Sequence, residues 1–261
     1  MADFNISFFS NALRRTVSFQ MIMPNDPRCD MPAGNEDKGP LRTLFLLHGY
    51  TGCAGNYVPL ELIQKYNIAV IMPNGENSFY LDGLGTGRKY CTFVGNELVK
   101  YVHKTFGLAD SAADTNILGF SMGGFGALHT ALSYPESFGM IGAMSSALIV
   151  HEIAHMKENY SNDIADYDYY HSCFGNLDTV EGSTNNPETL ILNLKEKKKK
   201  IPEIYLCCGS EDFLIEKNRQ FHAFLKKERV THSYYESTGI HDQKFWDEYT
   251  PKIIEWMYGN K

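Results

Sequence analysis

Positive charge is in deficit in this sequence: 24 lysines and arginines stand against 31 aspartates and glutamates, for a net charge of −7. That balance argues against nucleic acid or an anionic membrane surface as a partner. No stretch approaches the apolar length of a membrane span. The opening residues, Met1-Ala2-Asp3-Phe4-Asn5, carry neither the basic cluster nor the apolar run of a secretory leader. Six cysteines are scattered with no C-x-x-C pair, so reduced thiols in a cytoplasmic protein are expected. There is no internal repeat. What is present is ordinary for a globular chain, with 43% hydrophobic and 21% charged residues among 261. Residues 1–261 are read as one α/β domain with a substantial core.

The chain is organised around residues 117–128. Residues 115–118 read as a short apolar strand, and Phe125, Leu128 and Leu132 recur at helical spacing until Pro135. Between them lies Gly119-x-Ser121-x-Gly123, a serine at a sharp strand-to-helix turn. Such a turn strains the serine backbone and lifts its hydroxyl above the sheet. The helix N-terminus behind it favours a developing anion.

Around this turn the pattern alternates strands with helices. Residues 5–9 and 15–23 fit an antiparallel pair at a sheet edge, and 24–40, rich in Pro, Gly, Asn and Asp, reads as a loop. Apolar runs at 41–47 and 68–72 lack alternation, as strands buried on both faces do. Residues 58–66 and 92–106 read as helices, whereas 76–90 reads as a loop beside a site rather than a core element. A strand is expected over 138–148. After it, 149–200 departs from the strand–helix rhythm and is read as an insertion over the sheet, with 195–200 a solvated lysine-rich helix end or loop. The rhythm resumes with strands at 203–208 and 230–235 and helices at 215–227 and 243–258. The whole implies a mostly parallel sheet covered on both faces.

A serine hydroxyl needs a base near neutral pH, and the base needs an acid to orient it. In parallel sheets reactive groups gather at the carboxyl ends of strands. The strand at 203–208 runs into Glu211-Asp212, and that at 230–235 into Gly239-Ile240-His241. Asp212 is therefore the expected acid, with Glu211 the alternative, and His241 the expected base. His222 and His232 fall inside a helix and a strand, where structural roles are commoner. The oxyanion of the tetrahedral intermediate needs two backbone N–H donors. These are assigned to Met122 and to Tyr50, with Gly49 as fallback, while His48 is read as orienting the loop.

With these pieces placed, the chain resembles the esterase-D-like branch of the α/β-hydrolases, most of all its tributyrin, feruloyl and acetyl-xylan esterases. The resemblance is carried by Leu46-Leu47-His48-Gly49, Met72-Pro73-Asn74, Gly119-Phe120-Ser121-Met122-Gly123-Gly124, Phe174-Gly175, Cys208-Gly209-x-x-Asp212-Phe213-Leu214, and Gly239-x-His241 followed by Trp246. It implies an α/β-hydrolase fold of about eight strands and a serine carboxylesterase for short-chain acyl or phenolic-acid esters. It also implies no metal or organic cofactor, and it carries Ser121, Asp212 and His241 over as the triad. The partner is then a small-molecule ester, such as those derived from plant cell walls, and a homo-oligomer is compatible with it. Phe79, Tyr80, Phe125 and Trp246 are expected to touch substrate.

Four rival readings remain. One is an S-formylglutathione-hydrolase-like thioesterase, although Phe125-Gly126-Ala127 stands where those relatives typically show a histidine. Another is acyl transfer to a sugar instead of to water. A non-catalytic hydrolase-fold binding protein is the third, although no triad member is missing. The last is a zinc peptidase, from the literal H-E-x-x-H at His151-Glu152-Ile153-Ala154-His155. Glu158 stands where the longer zinc signature needs glycine, and no third ligand is evident.

Overall fold

In a computed structural model of the chain, residues 1–24, 40–161 and 164–259 are described. Nearly all of the loop expected at 24–40 lies outside them. The strands are β1 (Ala2–Ser10), β2 (Arg15–Met23), β3 (Arg42–Leu47), β4 (Ile68–Pro73), β5 (Thr115–Phe120), β6 (Met140–Met144), β7 (Glu203–Gly209) and β8 (His232–Ser237). They form one sheet in the order β1-β2-β4-β3-β5-β6-β7-β8. β1 and β2 pair antiparallel at one edge, β2 meets β4 antiparallel, and every later pairing is parallel. This is the α/β-hydrolase arrangement, with the eight strands expected.

The helices are α1 (Leu60–Lys65), α2 (Tyr90–Thr92), α3 (Val99–Phe106), α4 (Met122–Ser133), α5 (Val150–Ile153), α6 (Tyr167–Phe174), α7 (Pro187–Glu196), α8 (Ile215–Lys227) and α9 (Gln243–Tyr258). A π-wound stretch, Phe93–Leu98, joins α2 to α3. Side chains of β3 explain its unbroken apolar sequence: Phe45 and Leu47 enter one core layer, Leu44 and Leu46 the other. Alternation is there, but both faces are dry.

Three expectations need correction. The strand expected over 138–148 stops at Met144, because Ser145 takes a left-handed φ of 44° and turns the chain off the sheet. The 149–200 region is not simply irregular: α7 packs against α4 as the crossover helix between β6 and β7. Its start is set by Asn186, which accepts from the Glu188 amide at 3.0 Å, with Pro187 in the first turn. The 76–90 loop is partly core, with Tyr80 and Leu81 fully buried and Phe79 nearly so. Among the described residues Cys53, Cys91, Cys173, Cys207 and Cys208 are free thiols. No helix among those residues is long and apolar enough to cross a membrane.

One buried histidine ties α4 to the region before α7. His129 Nε2 lies 3.0 Å from the Thr184 carbonyl, so that nitrogen carries the proton. Nδ1 is buried without a partner. Burial lowers the His129 pKa from 6.5 to about 4, outweighing the Thr184 carbonyl and Asp82, which favour the charged form. Between those pH values the unfolded chain takes up a proton that the folded chain refuses, so stability falls as pH falls. His129 should account for a loss on the order of 3 kcal/mol across that window. Urea midpoints measured from pH 7 to pH 4 should therefore decline less steeply for His129→Gln than for the parent. Equal slopes would show that His129 is not the group responsible.

Candidate active site

The turn between β5 and α4 is built by backbone packed on backbone. A Cβ on Gly119 would lie 2.2 Å from the Gly123 carbonyl oxygen, and one on Gly123 would lie 2.3 Å from that of Leu47. Only glycine allows β3, β5 and α4 to approach so closely. Ser121 is left with φ 55° and ψ −122°, an unfavourable conformation for a residue with a side chain. It is held there by bonds from its amide to the Met144 carbonyl and from the Ala147 and Phe125 amides to its own carbonyl.

Two loops are stitched together at the ends of β7 and β8. The Ser210 amide donates to the Ser237 carbonyl, and the Glu211 amide to that of Gly239. This brings Asp212 to His241. The imidazole Nδ1 lies 2.8 Å from Asp212 Oδ2 and 3.0 Å from Oδ1, while Nε2 lies 2.9 Å from Ser121 Oγ. A carboxylate can only accept, so Nδ1 carries the proton and Nε2 is free to accept from the serine hydroxyl. Asp212 is 2% exposed. Burial alone would raise its pKa, but bonds from His241 and the Leu214 amide outweigh that and hold it below the usual aspartate value. Glu211 is solvent-exposed and lines a different groove, with Thr238 and Lys244. His232 is bonded to His222 and to the Val230 carbonyl.

The loop after β3 is set by His48. Its Nε2 accepts from the Gly75 amide at 2.9 Å, so Nδ1 carries the proton and donates to the Gly49 carbonyl at 2.8 Å. Gly52 donates to the same oxygen. Burial lowers the His48 pKa, which keeps the ring neutral for both bonds. In a trans peptide the C=O and the following N–H point in opposite directions, and no peptide among the described residues is cis. Fixing the Gly49 carbonyl therefore turns the Tyr50 amide the other way.

Ser121, Met122, Gly49, Tyr50 and His241 open onto one cavity of about 620 Å³. Its walls include Phe79 and Trp246, which the sequence pointed to, and Tyr169, Tyr170, Ile164, Phe213, Glu152 and Lys217, which it did not. The density of tyrosines in 160–170 was the visible signal for part of that second group. Contrary to expectation, Tyr80 and Phe125 do not reach the cavity and are core residues. Tyr80 is wedged where a Cβ on Gly75 or Gly126 would strike its ring, and its hydroxyl donates to the His48 carbonyl at 3.2 Å. Phe125 packs on Phe79, Phe174 and His129.

Comparison with known proteins identifies the family. Residues 10–256 match the family described as "Putative esterase". The chain is 40% identical over 264 residues to an acetyl esterase of Caldicellulosiruptor saccharolyticus, covering 98% of each. Among solved structures it is similar to the substrate-bound fluorophosphonate-binding serine hydrolase F of Staphylococcus aureus, at 27% identity and TM-score 0.82 with 98% of each chain covered. It is also similar to the S-formylglutathione hydrolase of the same organism, at 27% identity and TM-score 0.80 with 98% of each covered. The chain belongs to this esterase family, and it is a carboxylic ester hydrolase.

The H-E-x-x-H segment does not form one helical face. α5 ends at Ile153, and His155 takes a left-handed φ of 59°. His151 Nδ1 lies 2.6 Å from Glu181, with Glu188 at 3.4 Å from its other nitrogen, whereas His155 faces Asp178 at 3.3 Å. Burial works against charging His151, but the two glutamates prevail and raise its pKa. Among the described residues no group of three or more His, Cys, Asp or Glu could hold a metal ion. Ester turnover should therefore survive EDTA and phenanthroline, and His151→Ala and His155→Ala should each retain at least about a third of it, a cost below 1 kcal/mol. Loss of turnover on chelation, with recovery on adding zinc, would overturn the assignment of these histidines to structure.

Proposed function

We propose that the protein is a serine carboxylesterase that cleaves short-chain acyl or phenolic-acid esters through an acyl-enzyme on Ser121. The carrying observation is the unbroken chain from Ser121 Oγ through His241 to Asp212, at 2.9 and 2.8 Å, facing a large cavity. His241 Nε2 takes the hydroxyl proton as Oγ attacks the ester carbonyl, and Asp212 stabilises the imidazolium. The Met122 and Tyr50 amides receive the oxyanion, the former at the start of α4, where the helix dipole adds to the effect. Collapse of the intermediate expels the alcohol with the proton from His241. Water then repeats the sequence to release the acid. The aromatic wall of Phe79 and Tyr169 suits an apolar or ring-bearing acyl group. The acetyl esterase relative supports the small-acyl end of this range.

A thioesterase is the second reading, favoured by the likeness to an S-formylglutathione hydrolase. Both share the acyl-enzyme and differ in the leaving group. Turnover of p-nitrophenyl acetate beside S-formylglutathione separates them, and the acetate is expected to be the better substrate.

A fluorophosphonate probe should label Ser121 stoichiometrically, and Ser121→Ala should lose on the order of 10⁶ in kcat while keeping its unfolding transition. Labelling at Ser145, Ser146 or Ser210 instead would move the nucleophile. Asp212→Asn should lose on the order of 10⁴ in kcat, as loss of the orienting carboxylate does in serine triads. Glu211→Gln should stay within about threefold of the parent, as expected of a surface change outside the machinery. The reverse ranking in steady-state assays would transfer the acid to Glu211.

A further inference from the structure

The cavity has an asymmetric chemistry. Among the described residues of its wall, the only charged side chains are Lys217 and Glu152. Lys217 Nζ lies 2.7 Å from Glu152 Oε2, with the two side chains 25% and 49% exposed. Lys217 sits in the first turn of α8, where the helix dipole disfavours a cation. Glu152 sits on a helix of four residues, on which His151 contacts Glu181 and Glu188, with the contact of His155 to Asp178 just past its end. In the H-E-x-x-H segment it is thus the glutamate that meets the cavity, while the histidines pair with acidic side chains outside it.

The alcohol's side of the reaction is set by His241. His241 must return its proton to the leaving oxygen, so the alcohol lies beside that ring. Beside it stand Phe213, 63% exposed and with its ring centroid 4.6 Å from that of His241, and Trp246, at 5.1 Å. Leu214 and then Lys217 continue from Phe213 along the chain into α8.

We propose that Lys217 and Glu152 form a leaving-group subsite that selects alcohols carrying adjacent free hydroxyls. This rests on the serine-esterase reading of the same cavity. An ammonium only donates and a carboxylate only accepts, whereas a hydroxyl does both, so two neighbouring hydroxyls can bridge the pair without separating it. The pair is neutral as a unit and gives neither an anion nor a cation an advantage. An alkyl group in the same place would strip water from both charges and return nothing. Phe213 offers the carbon face of such an alcohol an apolar contact. Glycerol and sugar esters both carry this chemistry.

The test compares propyl acetate with 2,3-dihydroxypropyl acetate, which differ only in two hydroxyls, and adds a methyl xyloside monoacetate with two adjacent free hydroxyls. In the parent enzyme at least one hydroxylated ester should exceed propyl acetate in kcat/KM by about tenfold, mostly through KM, as expected for hydrogen bonds to charged groups. Preference confined to the glycerol or the sugar ester supports the subsite and names its source. Lys217→Met and Glu152→Leu should each bring the ratio to within about twofold of unity, and Lys217→Arg should keep most of it. A parent ratio near one, or a ratio that survives both removals, overturns the proposal. If the removals fail to fold, the parent ratio and Lys217→Arg still decide. Failure of the esterase reading itself shows differently, as absent turnover of every acetate and no fluorophosphonate label on Ser121.

Discussion

The contact on which the site depends is between main chains: Gly119 against Gly123, and Gly123 against the end of β3. Because no side chain intervenes, α4 begins directly above the sheet and Ser121 is forced into its left-handed backbone conformation. Strain of this kind costs about 1–3 kcal/mol and persists only where the surroundings over-determine it. Here the surroundings are two central strands and three backbone hydrogen bonds on one residue. The Ser121 hydroxyl is therefore aimed by the core of the fold.

Electrostatics follow from that placement. A carboxylate buried as deeply as Asp212 would be costly if unpaired, and removing one partner of a buried pair leaves the other stranded. Asp212 is compensated twice, by His241 and by the Leu214 amide at the entrance to α8. The first partner fixes the tautomer of the base, and the second fixes the carboxylate itself. His48 performs a parallel task across the site by holding the Gly49 carbonyl, which orients the next amide. In both places a neutral or charged state is set by burial and neighbours, and geometry follows from the state.

Much of this was legible in the sequence, for identifiable reasons. α8 and α9 were read to the residue because apolar spacing coincides with strong end signals, such as Asp242 accepting from the Phe245 amide. The order of serine, acid and histidine after successive strands was visible because parallel topology places strand ends on one side. Other features were hidden because the same residue type serves two purposes. An aromatic residue looks alike on a cavity wall and in a core. Tyr80 is in the core because glycines at 75 and 126, far apart in sequence, leave room for its ring. The end of β6 was overrun because 147–150 are apolar but serve the insertion and the cavity instead of the sheet. α7 was obscured by the lysines at its end, although Asn186-Pro187 marks its start.

The sheet order accounts for how such a site can change substrate without changing reaction. The oxyanion loop follows β3, the nucleophile β5, the acid β7 and the base β8, so the proposed machinery spans five neighbouring strands. Altering any one of these connections disturbs strand pairing as well as chemistry. The cavity walls are attached differently. Ile164, Tyr169 and Tyr170 come from the 149–200 region, and Glu152 from a four-residue helix at its start. These segments contribute no strand to the sheet. The proposed reaction machinery thus hangs on the strand ends, and much of the cavity wall on segments outside the sheet. The ion pair between Glu152 and Lys217 crosses that boundary, since Lys217 belongs to the helix that begins immediately after the acid loop. A substrate seated on that pair would feel both the variable wall and the fixed triad, which is where selectivity for an alcohol can be set while the attack on its ester is left as it is.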